Sequence, residues 1–195
     1  MMRKLSIMIA EDESLTRLDL KEMLEAAGHV VCGEVNNGLK AVDLAKQLQP
    51  DLVILDVKMP GLDGLEVAKI MQTMNIPVIL LTAYSQPNFI SRAEKVAVYG
   101  YLVKPITERD LLPAVQIAYA RWKEMQSMQQ ELKDTQNKLK GQKIIAHARA
   151  ILAKKCNISE YDAHHKLVQE AMSLRMTLAE RAAQIVKEEK EKADM

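Results

Sequence analysis

From Ser6 to Lys104, short runs of consecutive apolar residues alternate with longer stretches in which apolar residues return every three or four positions, the pattern of strands and helices in an α/β sheet. The apolar runs predict strands at Ser6–Ala10, Val30–Val35, Leu52–Asp56, Val78–Thr82 and Tyr101–Val103. Runs such as LVILD and VILLT carry no alternating polar position, so helices must bury both faces of the sheet. A parallel, doubly wound five-stranded arrangement follows. Between the first two strands, Leu15, Leu18, Met23, Leu24 and Ala27 share one broad helical face, closed by Gly28. Leu39, Val42, Ala45 and Leu48 do the same before Pro50, and Leu65, Ala68, Ile70 and Met71 make a third helix before Pro77.

After Pro105 the punctuation stops. Thr107 and Asp110 have capping-box spacing, Pro113 falls in the early turns that tolerate it, and no glycine occurs before Gly141. Val115, Ala118, Trp122, Met125, Gln129, Leu132, Gln136 and Leu139 recur at alternating steps of three and four, the signature of a coiled-coil seam. A helix over 107–140 would run about 50 Å at ~1.5 Å per residue, too long merely to close the sheet. It either pairs with a second copy or links two domains within one. From residue 142 onward three helical stripes appear. Ile144, Ile145, Ala148, Ile151 and Leu152 form the first, Ala163, Leu167, Ala171 and Leu174 the second, and Leu178, Ala182, Ile185 and Val186 the third. Ser159 with Asp162 and Thr177 with Glu180 mark helix starts, and helices this short must bury their stripes against one another in a small all-α bundle. The expected domains are thus 1–106, a linker helix 107–140, and 141–195.

Composition narrows the class. With 195 residues, 48% of them apolar, the chain can hold one sizeable domain and a smaller one. Cys32 and Cys156 lie far apart and neither has metal-ligand spacing, which favours a reducing compartment. No charged segment leads into an apolar run at Met1, and no run approaches the ~20 residues of a membrane span, so a cytoplasmic location with no membrane partner is expected. Residues 1–106 carry 11 Lys/Arg against 13 Asp/Glu, and residues 141–195 carry 10 against 8. That small basic excess at the C-terminal end permits nucleic-acid binding without requiring it.

Ligands of parallel sheets bind beyond the carboxyl ends of the strands. Glu11 and Asp12 follow strand one, Asp56 ends strand three, Thr82 ends strand four and Lys104 follows strand five. Three converging carboxylates repel unless a cation joins them, and hard oxygen donors suit Mg²⁺. Asp56 could then act as a nucleophile toward a phosphoryl group, with Lys104 and the Thr82 hydroxyl on its oxygens. An aspartate at a strand end is commonly a helix cap and a lone lysine is usually solvated. The ordered set, with Met59, Pro60, Gly61 and Gly64 after Asp56, points to a site.

Glu11-Asp12, Asp56-Val-Lys-Met-Pro-Gly, Thr82-Ala83 and Lys104-Pro105 together resemble the receiver domains of bacterial response regulators, over about residues 4–120. The resemblance implies the flavodoxin-like fold and Asp56 as phosphoacceptor. It also implies Glu11, Asp12, Asp56 and the Lys58 carbonyl around Mg²⁺, Thr82 as the switch hydroxyl and Tyr101 as the switch aromatic. Glu11 stands where the family often has Asp. The implied partner is a sensor histidine kinase, and the implied role that of a phosphoacceptor with slow self-dephosphorylation rather than a dedicated enzyme.

Farther on, Ala148-Arg-Ala-Ile-Leu152, Ile158-Ser-Glu160, Ala163, Leu167, Ala171-Met172, Leu178, Glu180, Ala182 and Ile185-Val186 resemble the ANTAR domain of transcription antiterminators. Ala150, His164, Val168 and Arg181 depart from that family's usual residues. The resemblance implies a three-helix module that binds RNA hairpins in a transcript leader, acting as a homodimer formed on phosphorylation. Candidate phosphate contacts are Arg149, Lys154, Lys155, Lys166 and Arg175. The adjacent His164 and His165 diverge by about 100° on a helix, against a metal site with Cys156. Two other outputs remain open, a DNA-binding helix-turn-helix and a protein-interaction module.

Overall fold

The computed structural model describes residues 3–83 and 98–193. The chain divides into two compact units, Met1–Gln126 and Ser127–Met195.

The first unit carries strands β1 (Ser6–Ala10), β2 (Val30–Val35), β3 (Leu52–Asp56), β4 (Val78–Ala83) and β5 (Gly100–Lys104), and helices α1 (Ser14–Ala26), α2 (Gly38–Leu48) and α3 (Gly64–Thr73). All neighbouring strands are parallel, in the order β2-β1-β3-β4-β5. Alternate strand residues face opposite sides of a sheet, and here both sides are covered. Met8, Ala10, Val53, Leu55, Val78 and Leu80 pack with Ala41, Val42 and Ala45 of α2 and with Leu65, Val67, Ala68 and Met71 of α3. Ile7, Ile9, Leu52, Ile54, Ile79, Leu81 and Leu102 pack on the other side with Leu20 and Leu24 of α1. Fully burying each such side chain stabilises by roughly 1.5–3 kcal/mol. That is why unbroken apolar strands specify this two-sided sheet.

The helix faces differ in detail from the periodicity. Leu15 and Leu18, expected in the core, are 70% and 49% exposed, whereas Leu24 of the same expected face is buried and Leu20, outside that face, is turned inward with it. Leu39 and Leu48 of α2 are likewise largely exposed, because the small Ala41 and Ala45 meet the sheet. These helices carry more apolar residues than one face can bury, and close packing selects the smaller stripe on α2.

Beyond the sheet a single helix α4 runs Glu108–Cys156. Gly141, where a break was expected, lies inside it. An interior glycine costs only about 1 kcal/mol against alanine, and no proline follows to end the helix. Leu111, Val115 and Ala118 of α4 are fully buried against the β1, β4 and β5 face. The first two residues assigned to the coiled-coil seam, Val115 and Ala118, therefore belong to the receiver-side core. Trp122 is half-buried, its ring 5.6 Å from that of Tyr119.

In the second unit the later turns of α4 pack with α5 (Glu160–Ser173) and α6 (Leu178–Ala193). Ala148, Leu152, Ala163, Leu167, Ala182 and Ile185 form its core, ringed by Ile144, Ile145, Ile151, Leu178 and Val186. The three stripes are thus satisfied mutually, except that Leu174 caps α5 and is 55% exposed. The Ser159 hydroxyl accepts the Asp162 N–H. Thr177 and Glu180 form a reciprocal capping box, with the Glu180 carboxylate accepting the Thr177 N–H at 2.7 Å. No described helix is long and apolar enough to cross a membrane.

Candidate functional site

The strand order reverses between β1 and β3, so the crevice at their carboxyl ends is the natural ligand site. Glu11 and Asp12 leave β1 there, Asp56 closes β3, and Thr82 and Lys104 come in from β4 and β5. One oxygen from each of Glu11, Asp12 and Asp56 lies within 4.8 Å of the others. Asp12, Asp56, Val57, Lys58, Thr82, Ala83 and Lys104 line a cleft of about 240 Å³.

Lys104 bridges the two buried acids. Its Nζ lies 2.7 Å from Glu11 Oε2 and 3.0 Å from Asp56 Oδ2. Burial raises the Glu11 carboxyl above its ordinary pKa and the Asp56 charge adds to the rise, while the Lys104 ammonium opposes it. Burial also works against the Lys104 cation, but its ion pairs with Glu11 and Asp56 outweigh that and hold it above the usual lysine value. Glu11 is completely buried, and its Oε1 accepts the Glu13 N–H at 3.1 Å. Its Oε2 is held by the Lys104 ion pair at 2.7 Å, with no donor in hydrogen-bond geometry among the described residues. A hard-oxygen trio with one buried donor left under-satisfied and a second, Asp12, exposed to solvent fits Mg²⁺, which keeps several of its waters.

The remaining expected residues are less tightly engaged. The Lys58 backbone N–H lies 3.4 Å from Asp56 Oδ1. The Thr82 hydroxyl donates to the Ala83 carbonyl at 3.2 Å. Tyr101 is 69% exposed.

Several residues that shape the site have no chemistry to announce them. Arg17 donates to the Glu11 carbonyl at 2.6 Å and so pins the main chain between the two acids. Gly64 opens α3 directly beneath the loop that follows Asp56: a Cβ there would lie 2.2 Å from the Asp56 carbonyl oxygen. Asp63 caps that helix by accepting the Leu65 N–H at 2.8 Å. The glycines after Asp56 were the only sequence signal for this close approach.

In the second unit the five candidate phosphate contacts separate into two groups. Arg149 is paired with Glu160 at 3.1 Å, and Lys166 donates to Cys156 Sγ at 3.1 Å. Lys154, Lys155 and Arg175 are exposed and have no ion-pair partner among the described residues. Arg181, where the resemblance expects an aliphatic residue, is mostly buried and joins Glu170 at 2.7 Å and Glu188 at 3.4 Å, tying α5 to α6.

Residues 7–116 match the response regulator receiver domain, and residues 133–186 match the ANTAR domain. The transcriptional regulatory protein PdtaR of Mycobacterium tuberculosis is 39% identical over 183 residues, 93% of this chain and 89% of its own length. Among solved structures, the receiver domain of a modulated diguanylate cyclase from Desulfovibrio desulfuricans is 32% identical with a TM-score of 0.60, covering 63% of this chain and 99% of that one. A LuxR-family DNA-binding response regulator from Staphylococcus aureus is 30% identical with a TM-score of 0.56, over 59% of this chain and 98% of that one.

Proposed function

The chain belongs to the response regulators that join a receiver domain to an ANTAR domain, and from that premise we propose that Asp56 is the residue that receives the phosphoryl group, from a sensor histidine kinase. The receiver is a phosphoacceptor rather than a dedicated enzyme, and the ANTAR module is its RNA-binding antitermination output. The observation that supports Asp56 most is its carboxylate in the crevice, beside the Lys104 ammonium and the acids Glu11 and Asp12. One Asp56 oxygen attacks phosphorus, the bond from phosphorus to the donor's histidine nitrogen breaks, and an acyl phosphate remains on Asp56. Glu11, Asp12, Asp56 and the Lys58 carbonyl would hold Mg²⁺, which when bound neutralises charge on the phosphoryl oxygens. Lys104 exchanges its carboxylate partners for a phosphoryl oxygen, Thr82 turns its hydroxyl from the Ala83 carbonyl to another, and Tyr101 follows inward as the switch aromatic.

The phosphorylated chain then pairs with a second copy and binds RNA hairpins in a transcript leader. Met125, Leu132 and Leu139 are each about half exposed and remain available for the seam. Two output modules on one dimer engage two hairpins with the gain expected of linked sites. Intact mass after treatment with a small phosphodonor and Mg²⁺ should rise by one phosphoryl group, and chelation of the metal should abolish the gain. Equal labelling of Asp56→Asn would sink the assignment, and tighter binding to a duplex DNA than to any hairpin RNA would sink the RNA output.

A further inference from the structure

The exposed side of α5 carries, beside the polar Asp162, Lys166, Gln169 and Ser173, a strip of different character. At 100° per residue, Tyr161, His165 and Met172 fall within about 40° of one another, on the side away from the buried Ala163, Leu167 and Ala171. Tyr161 is 73% exposed and Met172 75%. Single exposed apolar residues on a surface are ordinary. Two rings, Tyr161 and His165, and the Met172 thioether aligned along one side, about 16 Å from first to last at ~1.5 Å per residue, form a strip that nothing in the bundle requires. The Tyr161 and His165 rings meet edge to face with centroids 4.6 Å apart and planes at 68°, which holds the phenol ring in place while leaving the residue in solvent.

We infer that this strip is the platform on which unpaired bases of an RNA loop stack, with Lys154, Lys155 and Arg175 neutralising the backbone of the same RNA; the inference rests on the RNA-binding reading above. Every base offers a π-face to an aromatic ring, and RNA loops present bases free of pairing. The charge pattern favours a polyanion: Arg149 and Lys166 are engaged within the unit, whereas Lys154, Lys155 and Arg175 are exposed and uncommitted among the described residues. Ordered side chains that need no rearrangement bind at lower entropic cost, and the edge contact with His165 supplies that order.

The test uses the full chain, treated with phosphodonor and Mg²⁺, and a pool of RNA hairpins with a fixed stem and a randomised loop, beside the same stem as a blunt duplex. Tyr161→Ala should weaken hairpin binding roughly ten-fold without altering the salt slope, and Tyr161→Phe should restore it. Lys154→Gln should instead lower the salt slope by about 0.7–0.9. Because Tyr161 is outside the core, melting curves of its variants should match the wild type. Hairpin binding by Tyr161→Ala at wild-type strength overturns the stacking platform and leaves the RNA reading standing. A ten-fold loss on the blunt duplex as well would also overturn it, since no unpaired base is present there. Failure of the wild type to bind any hairpin overturns both.

Discussion

Replacing Gly64 with alanine puts a methyl group where the chain leaves no room for one. The added Cβ would stand 2.2 Å from the Asp56 carbonyl oxygen and 2.8 Å from the Val57 Cα, both backbone atoms that cannot swing aside. Ordinary contact begins at 3.4 Å, so the loop after β3 must open by about 1.2 Å, the difference between 3.4 and 2.2 Å. The Gly64 N–H, which donates to the Val57 carbonyl at 2.9 Å, strains with it. Overpacking of this size costs about 1–3 kcal/mol. The larger consequence is chemical, because Asp56 moves with its own backbone, and a misplacement of about 1 Å at a reacting group can cost on the order of a hundred-fold in rate. Gly28→Ala is the matched control. Its φ of +86° makes alanine unfavourable by ~1–2 kcal/mol, yet nothing lies within 4 Å of the added carbon and the site is remote. Urea unfolding should therefore show losses of similar size in both variants, while timed intact-mass labelling falls only in Gly64→Ala. Labelling of Gly64→Ala at the wild-type rate would refute the argument that this close approach positions the phosphoacceptor.

Three further outcomes follow from other contacts. His29 is 7% exposed, its Nδ1 accepts the Leu5 N–H at 3.3 Å, and burial lowers its pKa. The unfolded chain thus binds a proton first as pH falls, and stability should drop below about pH 6.5 by up to ~1.4 kcal/mol per unit, a decline that His29→Gln should flatten in urea titrations at pH 7.5 and 5.5. Arg181→Leu should change the melting temperature little, because an apolar residue removes the cation and its desolvation cost together. Glu170→Ala should destabilise by about 1–3 kcal/mol by leaving a mostly buried guanidinium with only the longer contacts to Glu188 and Gln184 among the described residues. Leu132→Lys should abolish phosphorylation-dependent association in light scattering without lowering receiver stability, whereas Val115→Lys should unfold the receiver, since Val115 is fully buried in its core and Leu132 is 59% exposed.

What the sequence determined by itself was the set of elements and the chemistry at one end of them. Unbroken apolar strands force burial on both faces, and the polar types at their carboxyl ends, Glu11, Asp12, Asp56, Thr82 and Lys104, come together because parallel strands all end at the same edge. Capping pairs such as Thr177 with Glu180 are local, and they too could be read directly. Tertiary structure decided which partner each pattern meets. The heptad positions Ala118 and Leu132 are equivalent by period, yet one is sealed against β-sheet side chains and the other faces solvent, because a repeat records spacing and not what lies opposite. Leu15 and Leu24, placed on one helical face by the sequence pattern, part for the same reason. The bridge from Lys104 to both Glu11 and Asp56 and the approach of Gly64 to the Asp56 carbonyl join residues through the sheet and through close packing, and the outward strip of Tyr161, His165 and Met172 appears only once the bundle has selected its inner face. Local order along a chain encodes period and cap, whereas burial and charge pairing are properties of the assembled neighbours.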